Sequence, residues 1–293
     1  MLGLDRPSFA REGRDWPLRQ YSRFVEAGGL RWHVQRLGAG PPMLLLHGTA
    51  GATHSWRDLA PLLAESFEIF APDLPGHGFT DAKPATDFSL PGVAKAVAGL
   101  LNETGFAPEI VVGHSAGAAI AARLCLNGVI APRLLVGINA ALKPFPGWAG
   151  ALFPPLAKMI SANPWLPRLF AWSAAIDREA AARLIAGMGS RLDRRGLDLY
   201  ARLLAKSGHC AGALEMMANW RLEPLLADLP RLAPRLLLIV GVNDRAVSPA
   251  EASRVAARLA RARVEALPNV GHLAHEENPK AVARLILAAA AEP

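Results

Sequence analysis

A single serine between two glycines, at the junction of a predicted strand and a predicted helix, constrains this sequence most. Residues 110–124 read IVVGHSAGAAIAARL, so an apolar run ends at Gly113 and small residues follow Ser115. The pattern G-x-S-x-G between a strand and a helix is typical of a nucleophile elbow, a tight turn that exposes the serine hydroxyl above a sheet. Side chains two residues before or after the serine would collide with such a turn, and Gly113 and Gly117 avoid that collision.

A histidine base and a carboxylate, which a nucleophilic serine requires, both follow later in the chain. A serine hydroxyl is a weak nucleophile until a base removes its proton. Asp244 follows the apolar run LLLIVGVN, and His272 lies in LPNVGHLAHEENP after the last predicted strand. We therefore predict Ser115 as the nucleophile, His272 as the general base and Asp244 as the group that orients it. Two alternatives stay open: Asp244 as a structural cap, and His275 as the base.

Acyl transfer also requires donors for an oxyanion, and the sequence places them on two loops. The first is the backbone N–H of Ala116, at the start of the helix that follows the serine. The second is the N–H of Thr49 in HGTAGATHSW, a loop that His47 and Gly48 shape. His114, beside the serine, is expected to pack sideways or to contact a lid.

Strands and helices alternate along the chain, except in one long segment. Apolar runs such as MLLLHG and RLLLIVGVND predict buried strands, and the helical patterns between them predict a mainly parallel α/β sheet covered on both faces. From 142 to 230 the patterns are helical only, with many Pro, Gly and aromatic residues. We predict a core of residues 1–141 and 231–293, with a helical cap (lid) of residues 142–230 inserted in it.

The composition limits the classes of partner. The net charge is +7, from 32 Lys and Arg against 25 Asp and Glu, but the basic residues are scattered and no nucleic-acid motif is present. We interpret the charge as general surface charge, with an acidic small molecule or a membrane surface touched peripherally as alternative partners. Two cysteines are too few for a disulfide framework. With no long apolar run and no apolar signal segment, we expect a cytoplasmic protein. We also expect no metal and no cofactor.

The motifs together resemble the α/β-hydrolase superfamily. HGTAGATHSW, APDLPGHGFTD, GHSAG, GVNDRAV and GHLAHEENP occur in the family's order along nearly the whole chain. The resemblance implies an eight-stranded, mostly parallel sheet with an inserted helical cap. A serine at 115 argues against the dehalogenase and epoxide-hydrolase branches, which use aspartate there. Esterases, C–C bond hydrolases and cofactor-free haloperoxidases fit the pattern equally.

A second set of segments is similar to the magnesium-chelatase accessory proteins of bacteriochlorophyll biosynthesis. These are REGRDWP, SRFVEAGGLRWHVQ, HSWRDLAPLLA, INAAL, LFPPLAK and MMANW, which include the N-terminal region and the cap. This resemblance implies a place in the magnesium-insertion step of photosynthetic bacteria, with chelatase subunits as partners and possible association with the cytoplasmic face of the photosynthetic membrane.

The aromatic residues of the predicted cap have three interpretations: they pack the cap on the core, they line a site for a tetrapyrrole ligand, or they face a membrane. Residues 143–228 contain 11 Lys and Arg against 7 Asp and Glu. Aromatic walls and arginines would bind a planar macrocycle with two propionates; the candidates are Trp148, Phe153, Trp165, Phe170, Trp172, Trp220, Arg168, Arg191, Arg194 and Arg195. Three hypotheses follow: a serine hydrolase for an ester in tetrapyrrole metabolism, a porphyrin-binding accessory protein, and a carboxylesterase or C–C bond hydrolase unrelated to pigments.

Overall fold

An eight-stranded sheet forms the centre of the molecule, in a computed structural model that describes residues 4–144, 163, 165–177 and 179–292. The strand order is β1-β2-β4-β3-β5-β6-β7-β8; β2 pairs antiparallel with β1 and β4, and the other pairings are parallel. The strands are β1 (Ser22–Ala27), β2 (Leu30–Leu37), β3 (Pro42–Leu46), β4 (Glu68–Pro72), β5 (Ile110–His114), β6 (Leu134–Ile138), β7 (Arg235–Gly241) and β8 (Ala262–Leu267). The predicted eight-stranded, mostly parallel α/β sheet is confirmed.

Helices cover both faces of the sheet, which is why its inner strands are apolar along their whole length. Along β3, Leu44 and Leu46 join the core on one face, while Met43 and Leu45 join the core on the other. The first core is closed by α2 (Leu90–Thr104), α3 (Ala116–Leu126) and α9 (Pro249–Ala256). The second is closed by α1 (Leu59–Ala64), α10 (Ala274–Glu277) and α11 (Pro279–Ala291).

Five helices lie in the chain between β6 and β7, where the described residues form no strand. They are α4 (Leu166–Ile176), α5 (Ala180–Gly187), α6 (Arg194–Leu204), α7 (Ser207–Ala218) and α8 (Glu223–Asp228). Short 3-10 turns occur at Arg19–Tyr21, Thr53–Trp56 and Leu229–Arg231. The helical pattern expected for this part of the chain is therefore present, while the cap boundaries at 142 and 230 stay a prediction. Trp148 and Phe153 lie outside the described residues.

Helix α7 attaches this inserted segment to the core. Met216 of α7 is buried in the same core as Leu44 and Leu46 of β3. A Cβ on Gly212 would come within 3.1 Å of the Gly76 Cα, so only glycine permits the close approach of α7 to the turn after β4. Among the described helices, none is long and apolar enough to cross a membrane.

Candidate active site

Ser115 occupies a strained turn between β5 and α3. Its φ of 50° and ψ of −116° lie in a region that residues other than glycine rarely adopt. The Ser115 N–H donates to the Ile138 carbonyl at 3.0 Å, and its own carbonyl accepts from Ala118 N at 3.1 Å and Ala141 N at 3.2 Å. These bonds hold the turn from β6 and from α3, so the unfavourable backbone conformation persists, as is typical of functional sites.

The glycines around the elbow are required by close packing. A Cβ on Gly113 would collide with the Ala118 backbone, and one on Gly117 would collide with the carbonyl oxygen of Leu46. A Cβ on Gly48 would lie 3.0 Å from the Cβ of Ser115, so the loop after β3 runs directly beside the serine. The predicted oxyanion loop and the predicted nucleophile are thus neighbours.

Asp244 and His272 form a buried, hydrogen-bonded pair, in which both carboxylate oxygens of Asp244 have donors. His272 Nδ1 lies 2.8 Å from Asp244 Oδ2, and the other carboxylate oxygen accepts from Ala246 N at 2.8 Å and Val247 N at 2.9 Å. The Asp244 side chain is 1% exposed. Because Nδ1 faces a carboxylate, it carries the ring proton, and Nε2 is left as the acceptor. This is the arrangement that a general base requires.

The side chains of His114 and Asn139 hold the backbone of His272. The sequence did not predict the role of Asn139. The His272 carbonyl accepts from His114 Nε2 at 2.9 Å and from Asn139 Nδ2 at 2.7 Å. Asn139 Oδ1 also accepts from Gly241 N at 2.7 Å, so the asparagine after β6 connects the ends of β7 and the histidine loop. His114 therefore binds the histidine loop through Nε2, while its ring packs against that of His275 at 4.5 Å.

The inserted segment holds the histidine loop from the opposite side. Leu273 N donates to Ser190 Oγ at 2.8 Å. Glu277 accepts from Gly271 N at 2.8 Å and from Arg191 N at 3.0 Å, which ties the loop between α5 and α6 to residues 271–277. Arg191, one of the candidate tetrapyrrole contacts, is thus anchored through its backbone beside His272.

The loop after β3 is fixed by two neutral histidines. His47 Nε2 accepts from Leu74 N at 2.8 Å and its Nδ1 donates to the Gly48 carbonyl at 2.8 Å. His209 of α7 accepts from Gly78 N at 3.1 Å and donates to the Ala50 carbonyl at 3.2 Å. Burial lowers the pKa of His47 and lowers that of His209 to about 4, so both rings stay neutral near pH 7.

Thr49 and Ala116, the predicted oxyanion donors, lie on the two segments that meet beside Ser115. Ala116 is the first residue of α3, where N–H groups have no acceptor within the helix. For the Thr49 N–H, the described residues provide no acceptor either, while the Thr49 hydroxyl donates to Met216 Sδ of α7 at 3.6 Å. Both N–H groups are therefore available to a developing oxyanion.

His275, the alternative base, is enclosed by other side chains. It is 0% exposed, and its ring lies 4.8 Å from that of Trp56 and 4.5 Å from that of His114. Neither ring nitrogen has a hydrogen-bond partner among the described residues, and burial lowers its pKa to about 3. This geometry favours His272 over His275 as the base.

A hydrogen-bonded Ser–His–Asp chain also occurs on β1, β2 and the residue that follows β4. Ser22 Oγ lies 2.9 Å from His33 Nε2, and His33 Nδ1 lies 2.8 Å from Asp73 Oδ2. Ser22, however, has an ordinary extended backbone, with φ −72° and ψ 137°. Asp73 also accepts from Thr53 N at 2.6 Å and Phe79 N at 2.9 Å, so it organises the loops after β3 and β4. We interpret this chain as structural.

A small cavity adjoins the Asp244 loop. Its volume is about 260 Å³, and it is lined by Ala140, Ala141, Leu142, Lys143, Pro144, Leu238, Arg245, Ala246, Val247, Ser248, Glu251, Ala252 and Val255. Lys143 Nζ is paired with Glu251 at 2.8 Å. The wall is apolar with basic groups, and it includes the residues whose N–H groups bind Asp244.

Three of the candidate aromatic residues that the structure describes are exposed to solvent. Trp165, Phe170 and Trp172 are 71%, 50% and 63% exposed. Trp220, in contrast, packs against the core. Of the candidate arginines, Arg168 lies 5.4 Å from the Trp165 ring, and Arg191, Arg194 and Arg195 are exposed. Trp165, Phe170 and Trp172 therefore present their rings outward.

Known proteins share this fold and much of this sequence. The model of the alpha/beta hydrolase family matches residues 43–285. The magnesium-chelatase 30 kDa subunit of Rhodobacter capsulatus is 38% identical over 275 residues, 93% of this chain and 95% of that protein. The pimeloyl-(acyl-carrier protein) methyl ester esterase of Methylococcus capsulatus is 31% identical over 86% of this chain and 96% of that protein.

The solved structures agree. An alpha/beta hydrolase fold protein from Burkholderia ambifaria superposes with a TM-score of 0.76 at 24% identity, over 92% of this chain and 97% of that one. The resemblance to magnesium-chelatase accessory proteins, expected from the sequence, is confirmed by the Rhodobacter relative. The family match spans β3 to α11 and so includes Ser115, Asp244 and His272. This chain belongs to the alpha/beta hydrolase family.

Proposed function

We propose that the chain is a serine hydrolase acting on an ester-type substrate. The observation that carries the proposal is the pairing of His272 Nδ1 with the buried Asp244 carboxylate at 2.8 Å, in a chain whose Ser115 has a positive φ on a tight turn. A hydrogen-bonded His–Asp pair without a strained serine would serve packing equally well. Both features are parts of a site for nucleophilic acyl transfer, and together they support the proposal.

The proposed reaction uses each group at a stated atom. Ser115 Oγ attacks the acyl carbonyl while His272 Nε2 takes its proton, and the Asp244 carboxylate stabilises the resulting imidazolium. The N–H groups of Ala116 and Thr49 stabilise the oxyanion. His272 then protonates the leaving alkoxide, and water, activated by the same nitrogen, hydrolyses the acyl-enzyme.

The comparisons support the substrate class and the pathway. One relative is named as a methyl ester esterase, which favours ester cleavage. Another is named as a magnesium-chelatase subunit, which favours a role in the magnesium-chelation step of bacteriochlorophyll biosynthesis. We propose that the chain works beside chelatase subunits at the cytoplasmic face of the photosynthetic membrane. The cavity of about 260 Å³ is smaller than the roughly 300–1,000 Å³ of typical ligand pockets, and neither Ser115 nor His272 is among its lining residues, so it does not support a site for a whole macrocycle.

Ester hydrolysis tests this proposal directly. Wild-type protein should cleave a member of a panel that contains short-chain nitrophenyl esters and porphyrin methyl esters. Ser115→Ala should lower kcat/KM on the order of 10³-fold or more. Cleavage of simple esters without any porphyrin ester would favour a carboxylesterase unrelated to pigments. Equal activity of wild type and Ser115→Ala would contradict the proposal.

A second candidate, a porphyrin-binding accessory protein, is favoured by the 38% identity to the chelatase subunit. Saturable quenching of tryptophan emission by protoporphyrin, with a dissociation constant on the order of micromolar, would support it. Arginine–propionate pairs would make the free acid bind more tightly than its dimethyl ester. Non-saturable binding, or equal affinity for both forms, would leave the hydrolase as the better interpretation.

A further inference from the structure

Helix α4 presents its large apolar side chains to solvent and buries its small ones. Trp165, Leu169, Trp172 and Ile176 are 71%, 56%, 63% and 63% exposed, and their spacing of four, three and four residues aligns them along one stripe. Phe170, 50% exposed, widens this stripe. These five residues form what we call the α4 apolar face.

The opposite side of α4 makes the contacts that hold the helix in place. Its buried residues are Pro167, Ala171 and Ala174, all of them small. Ala171 and Ala174 pack with residues of α5, α6 and α7, including Tyr200 and Cys210. A helix that only completed the fold would bury its tryptophans and leucine and expose its alanines. Large exposed apolar patches mark interaction sites.

The positive charge of the sequence segment that contains α4 favours one kind of partner for the α4 apolar face over others. Residues 163–195 contain six arginines and three acidic residues. Of the acids, Asp177 pairs with Arg183, and Asp193 accepts the Gly196 N–H at the start of α6. A second copy of the chain would bring these basic surroundings together, and like charges across an interface are unfavourable. A small ligand needs a concave site, whereas this helix face is convex.

We propose that the α4 apolar face docks on an anionic lipid bilayer. The helix has 11 residues and is about 16 Å long, so it lies along the membrane surface and does not span it. Its tryptophans occupy the headgroup boundary, where indole rings are favoured, and Leu169, Phe170 and Ile176 enter the acyl region. The arginines of the sequence segment 163–195, among them Arg168 on α4 itself, interact with anionic headgroups.

This orientation brings the lipid surface to the part of the insert that adjoins the histidine loop. Helix α4 packs with α6 and α7 in one cluster that also contains Leu273, the residue after His272. Helix α7 in turn contacts Thr49 and Ala50. The proposed docking thus places the site beside the membrane, where an apolar ester would dissolve. The docking itself does not depend on the proposed hydrolase activity.

Vesicle sedimentation tests the proposal. The proteins are wild type, a triple variant with Leu169→Ser, Trp172→Ser and Ile176→Ser, and a matched control with Val129→Ser and Tyr21→Ser, whose side chains are 45% and 38% exposed elsewhere. The vesicles contain phosphatidylcholine alone or an equal mixture with phosphatidylglycerol. Far-UV circular dichroism and the melting temperature establish that all three proteins fold.

We expect wild type and the control to bind the mixed vesicles, and the triple variant to bind on the order of 100-fold more weakly. Wild type should bind the neutral vesicles more weakly than the mixed ones, and high salt should weaken binding to the mixed vesicles. Equal binding by the triple variant, or no binding by wild type, would overturn the proposal. So would light scattering that showed a wild-type dimer abolished by the triple variant, since the face would then join two copies.

Discussion

Ser22 is hydrogen-bonded to a His–Asp pair, whereas Ser115 is the predicted partner of the Asp244–His272 pair, and the two serines differ in backbone conformation. The His33 chain has Ser22 within hydrogen-bond distance, yet Ser22 sits in an extended strand. Ser115 has a φ of 50° and stands at the start of a helix, beside the loop that carries Thr49. Strain and oxyanion donors, more than the hydrogen-bonded chain itself, therefore distinguish the proposed nucleophile from a structural serine.

Substitution of His272 and of His275, one at a time, should show which of the two histidines is the base. His272→Ala should lower kcat/KM on the order of 10³-fold, because Ser115 loses the group that takes its proton. His275→Phe should keep kcat/KM within about threefold of wild type, because His275 has no hydrogen-bond partner among the described residues. Steady-state ester hydrolysis measures both values. The reverse order would mean that His275 is the base.

Acid sensitivity should report the burial of His275. Its pKa is about 3 in the folded protein and near 6.5 when unfolded. The neutral ring's contribution to stability is therefore full above pH 6.5 and is lost as the pH falls below it, by about 2 kcal/mol at pH 5. His275→Phe should reduce the loss of unfolding free energy between pH 7.5 and pH 5 by that amount. Urea unfolding at both values measures it; an unchanged pH dependence would contradict the assignment.

Sequence patterns identify the residues that bear recognisable chemistry and miss those that act through geometry. Ser115, Asp244 and His272 stand after strands in a motif order, so they could be predicted, although their catalytic roles stay a prediction. Asn139 and Ser190 could not, because they matter through bonds to the His272 carbonyl and the Leu273 N–H. Those partners are 133 and 83 residues away in sequence, and no local pattern encodes such distances.

At the scale of elements, the parallel strands bring the site together. Strands β5, β6 and β7 are adjacent, so their carboxyl ends place Ser115, Asn139 and Asp244 at one edge of the sheet. The apolar strand runs that alternate with helices were sufficient to predict a mainly parallel sheet, and the family resemblance predicted its eight strands. The exposure of the large apolar side chains of α4 could not be predicted, because a helical sequence pattern does not show which side of the helix packs on the core.

Two glycine-to-alanine substitutions should have opposite effects on stability. At Gly117 the new methyl group would collide with the Leu46 carbonyl, so we expect a loss of about 2 kcal/mol or more in unfolding free energy. At Gly99, inside α2, nothing lies within 4 Å, so alanine should add about 0.5–1 kcal/mol through its helix propensity. Denaturant titration of both variants measures the difference. Equal effects would show that the Gly117 contact is not tight.

The hydrogen bonds of His209 on α7, which hold the loop after β3, should stabilise the transition state more than the bound substrate. His209→Leu provides neither the acceptor for Gly78 N nor the donor for the Ala50 carbonyl, so the Thr49 N–H should lose its position. We expect kcat to fall about 10-fold or more with KM within about twofold, and affinity for a boronic acid, which mimics the tetrahedral state, to fall with kcat. Glu215→Gln on the same helix is the control. Equal effects on KM and kcat would indicate a purely structural role.

At the scale of the whole molecule, the inserted helices divide into a fixed part and an outward-facing part. Helix α7 is bonded to the turn after β4 and to the proposed oxyanion loop, and the loop at Ser190 holds the histidine loop. Helix α4 faces outward with its tryptophans exposed. The sequence left three interpretations of the cap aromatics open: packing of the cap on the core, walls of a macrocycle site, and a surface that faces a membrane. Their exposure is better explained by contact with another surface, which is why ester cleavage and membrane docking can be tested separately.

Covalent labelling with a fluorophosphonate tests the central claim most directly, because the probe reacts only with a serine that a working base and oxyanion hole activate. Wild-type protein, Ser115→Ala and Ser22→Ala should be treated together, and the labelled peptide identified by mass spectrometry. We predict one label per chain, on residue 115, in wild type and Ser22→Ala, and none in Ser115→Ala. Equal labelling of Ser115→Ala, or a label on Ser22, would contradict the assignment of Ser115 as the nucleophile.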